Sequence, residues 1–155
     1  MTLSQKLADL DIDLPPVATP AGAYVPARVH GDLVYTAGQL PLVAGALPAT
    51  GKVGEGHGKV PPADAREYAR LSALNAIAAA ANAIGDVDRI TGVLKVTGFV
   101  ASVPEFTAQP AVINGASELF GEIFGDAGAH ARSAVGVPVL PLDSPVEVEV
   151  VFTID

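Results

Sequence analysis

The sequence predicts an α+β domain, a mixed β-sheet with two helices packed on one of its faces. Val146-Glu147-Val148-Glu149-Val150 alternates with the two-residue period of a strand, whereas 61–84 and 110–124 carry apolar residues at helical spacing. The strand-like segments come both in adjacent pairs and separated by the helices, so hairpins and crossovers must share one sheet.

Leu3, Leu7 and Leu10 fall at helical spacing and predict a short N-terminal helix. Asp11 to Pro20 holds three prolines and reads as an extended lead-in. Ala23–Val29 and Leu33–Ala37, separated at His30-Gly31-Asp32, read as a hairpin. The stretch from Gly38 to Pro61 is rich in Gly and Pro and predicts a long loop, with a short strand near Lys52-Val53.

Pro61-Pro62-Ala63-Asp64 opens the first long helix, because proline suits the first turn and Asp64 suits the positive end of the helix dipole. Leu71, Leu74, Ile77, Ala78, Ala81 and Ile84 then form its apolar stripe, and Gly85 is its stop. Ile90–Val103 is apolar and β-branched with Lys95 its only charge, which predicts a largely buried strand. The second helix runs from about Pro110 to Phe124 with Val112, Ile113, Ala116, Leu119, Phe120 and Ile123 on its apolar side, and Gly125 and Gly128 end it. Ser133–Leu140 and Val146–Thr153 complete the sheet. One face of such a sheet is left uncovered, and another subunit is one way to cover it.

At 155 residues the chain is read as one domain, 1–155, able to bury roughly two thirds of its unfolded surface. Half the residues are apolar but only 5% are aromatic and none is Trp, so the core is built from small aliphatic side chains. A net charge of −8 repels polyanions and argues against nucleic acid as a partner, without excluding a small anion held by one local Arg. There are no cysteines, and His30, His57 and His130 are far apart without metal-ligand spacing, so neither a metal nor another cofactor is expected and the histidines read as separate polar residues. No basic-then-apolar leader and no apolar run of ~20 residues is present, which sets the expectation of a cytoplasmic protein with no membrane segment.

Three features could carry chemistry. Arg132 stands at a strand entrance and is the only strong cation nearby in sequence. Its planar fork can grip a carboxylate, or it can form a structural ion pair with Glu147 or Glu149. Those two glutamates either form the solvated face of an edge strand or, because the rest of 146–154 except Thr153 is apolar, sit on a central strand facing something. Thr36-Ala37-Gly38-Gln39-Leu40-Pro41 ends a strand in Gly, which permits either close approach to a ligand or an ordinary turn.

Ala131-Arg132-Ser133-Ala134-Val135-Gly136-Val137, then Leu140-Pro141, then Val146-Glu147-Val148-Glu149-Val150, is similar to the C-terminal signature of the YjgF/RidA family. Thr36-Ala37-Gly38-Gln39-Leu40-Pro41 resembles that family's strand-ending Ser-Gly-Gln-Ile-Pro segment. Tyr24 stands where the family usually has a Tyr, and Asn114 close to where it has an Asn. The likeness covers residues 20–154, with 1–20 an N-terminal extension and 42–60 a loop of a longer subgroup. It implies a chorismate-mutase-like fold assembled as a homotrimer, whose sheets form a central β-barrel with ligand clefts between subunits. It further implies an enamine/imine deaminase that hydrolyses small 2-enamino or 2-imino acids to keto acids and ammonia. In that reading Arg132 clamps the substrate carboxylate and Glu147 positions water, while Tyr24, Ala37, Gly38, Asn114 and Ala134 line the cleft. Ala37 replaces a Ser of the deaminase pattern and Ala134 a Cys found in many members, which leaves a non-catalytic carboxylate-binding trimer as the alternative. Endoribonuclease, a label attached to parts of the family, is the reading least compatible with the acidic balance.

Overall fold

Residues 1–155 are described by a computed structural model, in which five strands and three helices follow the order α1-β1-β2-α2-β3-α3-β4-β5. The helices are α1 (Leu3–Asp9), α2 (Pro62–Ile84) and α3 (Gln109–Phe124). The strands are β1 (Ala27–His30), β2 (Leu33–Thr36), β3 (Ile90–Ala101), β4 (Ala131–Val137) and β5 (Val146–Ile154). They form one sheet in the order β1-β2-β5-β3-β4, with β3 and β4 parallel and every other pair antiparallel. The apolar β5 is therefore an inner strand. No helix is long and apolar enough to cross a membrane.

The long helices cover one face, and the strand period puts Val96 and Val100 of β3 and Val146, Val148, Val150 and Phe152 of β5 beneath them. The apolar side of α3 is the predicted one: Val112, Ile113, Ala116, Leu119, Phe120 and Ile123 are all buried. The stripe of α2 matches expectation at Ile77 and Ala78, which are buried, and differs elsewhere. Ala65, Ala69, Ala73, Ala76, Ile77 and Ala80 face the core, while Leu71, Leu74, Ala81 and Ile84 are only half-buried. Small side chains let α2 lie close to both the sheet and α3, a proximity that its leucines would prevent. Gly85 ends the helix in the left-handed conformation, at φ 80°.

Other local differences have equally plain causes. The hairpin begins at Ala27 rather than Ala23, after Pro26, whose carbonyl accepts from the Ala37 N–H at 2.8 Å. Ala23–Val25 lie before it and are exposed. β4 spans 131–137 rather than 133–140 because Pro138 has no N–H for the ladder. Val53 makes isolated bridges to Val60 and Ser102 instead of a strand. The 42–60 loop is pinned by Asn75, whose Nδ2 donates to the carbonyls of Leu40 and Leu42 at 2.9 and 3.1 Å, and by the Lys52–Asp143 ion pair at 2.6 Å. The N-terminal helix carries a capping box between Thr2 and Gln5 and is tied down by Ser4, which donates to the Asp88 carboxylate.

The opposite face of the sheet has no cover within the chain. Tyr35 and Val135, both large and apolar, are 48% and 43% exposed there.

The α2–α3 contact depends on Gly115, where an added Cβ would overlap the Arg66 carbonyl oxygen. Gly115→Ala is expected to push the helices apart and destabilise the chain by about 1–3 kcal/mol, read as a lower midpoint in urea unfolding.

Candidate functional site

The residues singled out from the sequence fall into two groups, one on each side of the sheet. The first forms where β2 gives way to the loop. Thr36 is buried and its Oγ1 accepts from the Val150 N–H at 3.0 Å, a side chain standing in for a ladder partner. The chain steps out at Ala37 and Gly38 and rejoins β5 at Gln39, which exchanges two backbone hydrogen bonds with Val148 (2.8 and 3.0 Å). A Cβ on Gly38 would stand 2.5 Å from Oε1 of Glu147 and 2.7 Å from its carboxyl carbon. The glycine is thus required because the Glu147 carboxyl group lies against the backbone.

Glu147 pairs with Phe99 and Glu149 with Thr97, both on the uncovered face. Neither glutamate belongs to an ion pair; the three in the molecule are Lys52–Asp143, Arg66–Glu118 and Arg70–Glu122. Burial, with the neighbouring charge of Glu149 adding to it, holds the Glu147 carboxyl above the usual carboxylate range. A carboxyl whose proton affinity is raised in this way is better suited to giving and taking a proton than an ordinary exposed one. Tyr24 lies with Gly38, Pro20 and Leu142 around a small cleft. Its phenol oxygen accepts from the Ala21 N–H at 3.2 Å, which leaves the phenol proton available to another acceptor.

The second group lies on the helix side of β4. The parallel register sets Arg132 opposite Val96, a wholly buried residue, so Arg132 turns toward α3. One terminal nitrogen, Nη1, donates to Asn114 Oδ1 at 2.7 Å and Ser117 Oγ at 3.1 Å. Both partners are neutral, and no carboxylate meets the guanidinium. The ion pair with Glu147 or Glu149, open as an alternative from sequence, is not formed; those glutamates lie on the other face. Nη2 and Nε donate to nothing in the chain and remain free to hold an anion. Ala134 follows Arg132 on the same side, opposite Gly98, whose missing Cβ makes room for Ile113.

Sequence reasoning missed Ser117 and His130, both part of the Arg132 cluster. His130 Nε2 lies 2.9 Å from Ser117 Oγ, and its Nδ1 lies 2.6 Å from the Gly128 carbonyl oxygen. The signal was present: His130 stands immediately before β4 and two residues before Arg132, and Asn114 and Ser117 are three apart on α3, so each pair shares a side. No group of three or more His, Asp or Glu side chains converges in a way that could hold a metal.

The sequence pattern of the family described as "YjgF/chorismate mutase-like, putative endoribonuclease" matches residues 4–153. Protein TCP17 of Trypanosoma cruzi is 39% identical over 150 residues, which is 95% of this chain and 91% of that protein. A crystal structure described as a putative endoribonuclease from Shewanella oneidensis superposes with a TM-score of 0.91 at 32% identity, covering 99% of this chain and 100% of the other. The crystal structure of E. coli TdcF with bound serine superposes with a TM-score of 0.64 at 28% identity, covering 92% and 94% of the two chains.

The raised Glu147 carboxyl carries a stability signature. A carboxyl that binds its proton more tightly in the folded state loses folding stability as pH rises from its unfolded value through its folded one. Glu147→Gln is therefore expected to melt higher than wild type at pH 8, with the difference shrinking to nothing by about pH 4. Thermal melts across that range check the sign.

Proposed function

Because the chain belongs to the YjgF/chorismate mutase-like family, we propose that it binds a small carboxylate at Arg132 and hydrolyses enamine or imine acids derived from amino acids. The observation that carries the reading is the Arg132 guanidinium, oriented by two neutral acceptors and left without a carboxylate of its own. The bound serine of E. coli TdcF supports a ligand of this class, since serine presents a carboxylate beside a nitrogen-bearing carbon.

Arg132 and Glu147 lie on opposite sides of one sheet, so a single copy does not bring them to one substrate. The site is completed in a homotrimer, where the free edge of β4 in one copy meets the Tyr24–Gly38–Glu147 group of the next. The exposed Tyr35 and Val135 favour such an assembly, because the uncovered face would then be buried.

In the reaction, Arg132 fixes the carboxylate of 2-aminoacrylate. Protonated Glu147 gives its proton to the terminal methylene carbon, which converts the enamine to 2-iminopropanoate in its protonated, iminium form. As carboxylate, Glu147 then takes a proton from the water that adds to the imine carbon. The resulting carbinolamine expels ammonia, so 2-aminoacrylate and water become pyruvate and ammonia, with no redox change and no cofactor needed. Burial that raises the Glu147 carboxyl suits it to both transfers.

Ala37 and Ala134 bear on a second reading. Neither supplies a hydroxyl or thiol to hold the attacking water, which favours a trimer that binds the carboxylate without turning it over.

Keto-acid release from freshly generated 2-aminoacrylate separates the two. Deaminase function predicts a rate above buffer that falls at least about 100-fold in Arg132→Ala. A carboxylate that raises the melting temperature of wild type but not of Arg132→Ala, without any turnover, selects the binding reading. Equal rates in wild type, Arg132→Ala and buffer, with no such stabilisation, would sink both.

A further inference from the structure

Behind Arg132 the structure holds a polar chain that the proposed reaction does not use. Gly128 is buried at the end of the short turn Gly125–Gly128, and its carbonyl meets Nδ1 of His130 at 2.6 Å. A carbonyl can only accept, so Nδ1 carries the proton of the neutral imidazole and Nε2 is a lone pair. Ser117, 2.9 Å away, then donates its hydroxyl proton to Nε2 and accepts from Arg132 Nη1 at 3.1 Å. Phe120 closes edge-on against the imidazole, with ring centroids 6.0 Å apart, and fixes its plane. Every donor and acceptor along this chain is committed in one direction only.

We propose that His130, acting through Ser117, sets the anion affinity of the Arg132 site according to its own protonation. Protonated His130 has a hydrogen on Nε2 and must donate to Ser117 Oγ. The Ser117 oxygen then accepts from both His130 and Arg132, and its hydroxyl hydrogen turns out toward the anion beside the guanidinium. The site gains a donor and a second positive charge two hydrogen bonds behind the first. Without an anion the two cations repel; an anion held beside the guanidinium offsets that repulsion and is attracted by both charges. Carboxylate binding and His130 protonation therefore favour each other, as linkage requires. Affinity is high while His130 carries its second proton and falls when that proton is lost.

No other charge facing His130 gives the same effect. On α3, Glu118 and Glu122 are exposed and ion-paired to Arg66 and Arg70 of α2. Asp126 is exposed in the turn before His130, and Lys95 of β3 lies on the opposite side of the sheet, near Ser133. Arg132 keeps its charge throughout.

The inference rests on the carboxylate reading of Arg132, and one experiment separates the two. Pyruvate binding is measured by calorimetry at pH 5.5, 6.5 and 8 on the full chain as wild type, His130→Gln, Ser117→Ala and Arg132→Ala. Wild type is expected to bind about tenfold tighter at pH 5.5 than at pH 8. His130→Gln, which has nothing to titrate there but retains Glu147, and Ser117→Ala should lose most of that dependence, the remainder being the contribution of Glu147. Nitrogen-15 NMR at pH 6.5 should show pyruvate increasing the doubly protonated fraction of the His130 imidazole in wild type. A His130→Gln slope equal to that of wild type, or no slope in wild type, overturns the relay and leaves the carboxylate reading standing. A wild-type slope in Ser117→Ala removes the hydroxyl from it. Failure of wild type to bind pyruvate at any pH, or equal binding by Arg132→Ala, overturns the carboxylate reading and the relay with it.

Discussion

The two-residue period of β5, in a sheet covered on one face only, determines where the chemical groups of this protein lie. Val146, Val148, Val150 and Phe152 are buried against α2 and α3, and each contributes on the order of 1.5–3 kcal/mol by leaving water. A slip of one residue would exchange that set for Glu147 and Glu149. Two unpaired carboxylates under the helices would cost several kcal/mol each, so no alternative register competes. The same period runs through β3 into β4 and turns Arg132 toward α3. Core packing, rather than any attraction between the functional groups, thus places the cation and the carboxyl on opposite sides.

That separation shapes the electrostatics. Kept apart from Arg132, Glu147 has only Glu149 for a charged neighbour, and burial raises its proton affinity. Kept apart from carboxylates, Arg132 rests on Asn114 and Ser117, neutral groups that orient it without cancelling its charge. An ion pair between them would have lowered the Glu147 pKa and filled the Arg132 fork. The geometry costs the chain an uncovered sheet face carrying Tyr35 and Val135, which gives the isolated copy a reason to associate.

Much of this was legible in the sequence, because strand and helix periods are local. The apolar side of α3, the stop at Gly85 and the inner position of β5 followed from spacing and composition alone. The buried side of α2 did not, since alanine is weakly apolar and a stripe of alanines gives little contrast against its leucines. The start of the first strand depended on the Pro26 carbonyl meeting Ala37, a contact between the residues that flank β1 and β2. The role of Gly38 was visible only in part: its need for space was readable, but the occupant is Glu147, more than a hundred residues away. His130 looked isolated because its partner Ser117 lies on another element.

The acidity of the whole chain and the cationic site are compatible because they act over different distances. Exposed charges are screened within about 8–10 Å at physiological ionic strength, so the net charge of −8 acts mainly on large polyanions that must approach a broad surface. A small monoanion of the kind proposed would meet instead the local field at β4, where Arg132 has free donors and no carboxylate against it. One uncompensated guanidinium matches one carboxylate, and a second negative charge on the ligand would have no partner when His130 is neutral. The charge of the ligand proposed for this site is therefore limited by the neutrality of the cradle: Asn114 and Ser117 orient the guanidinium and leave it a single unit of charge to offer.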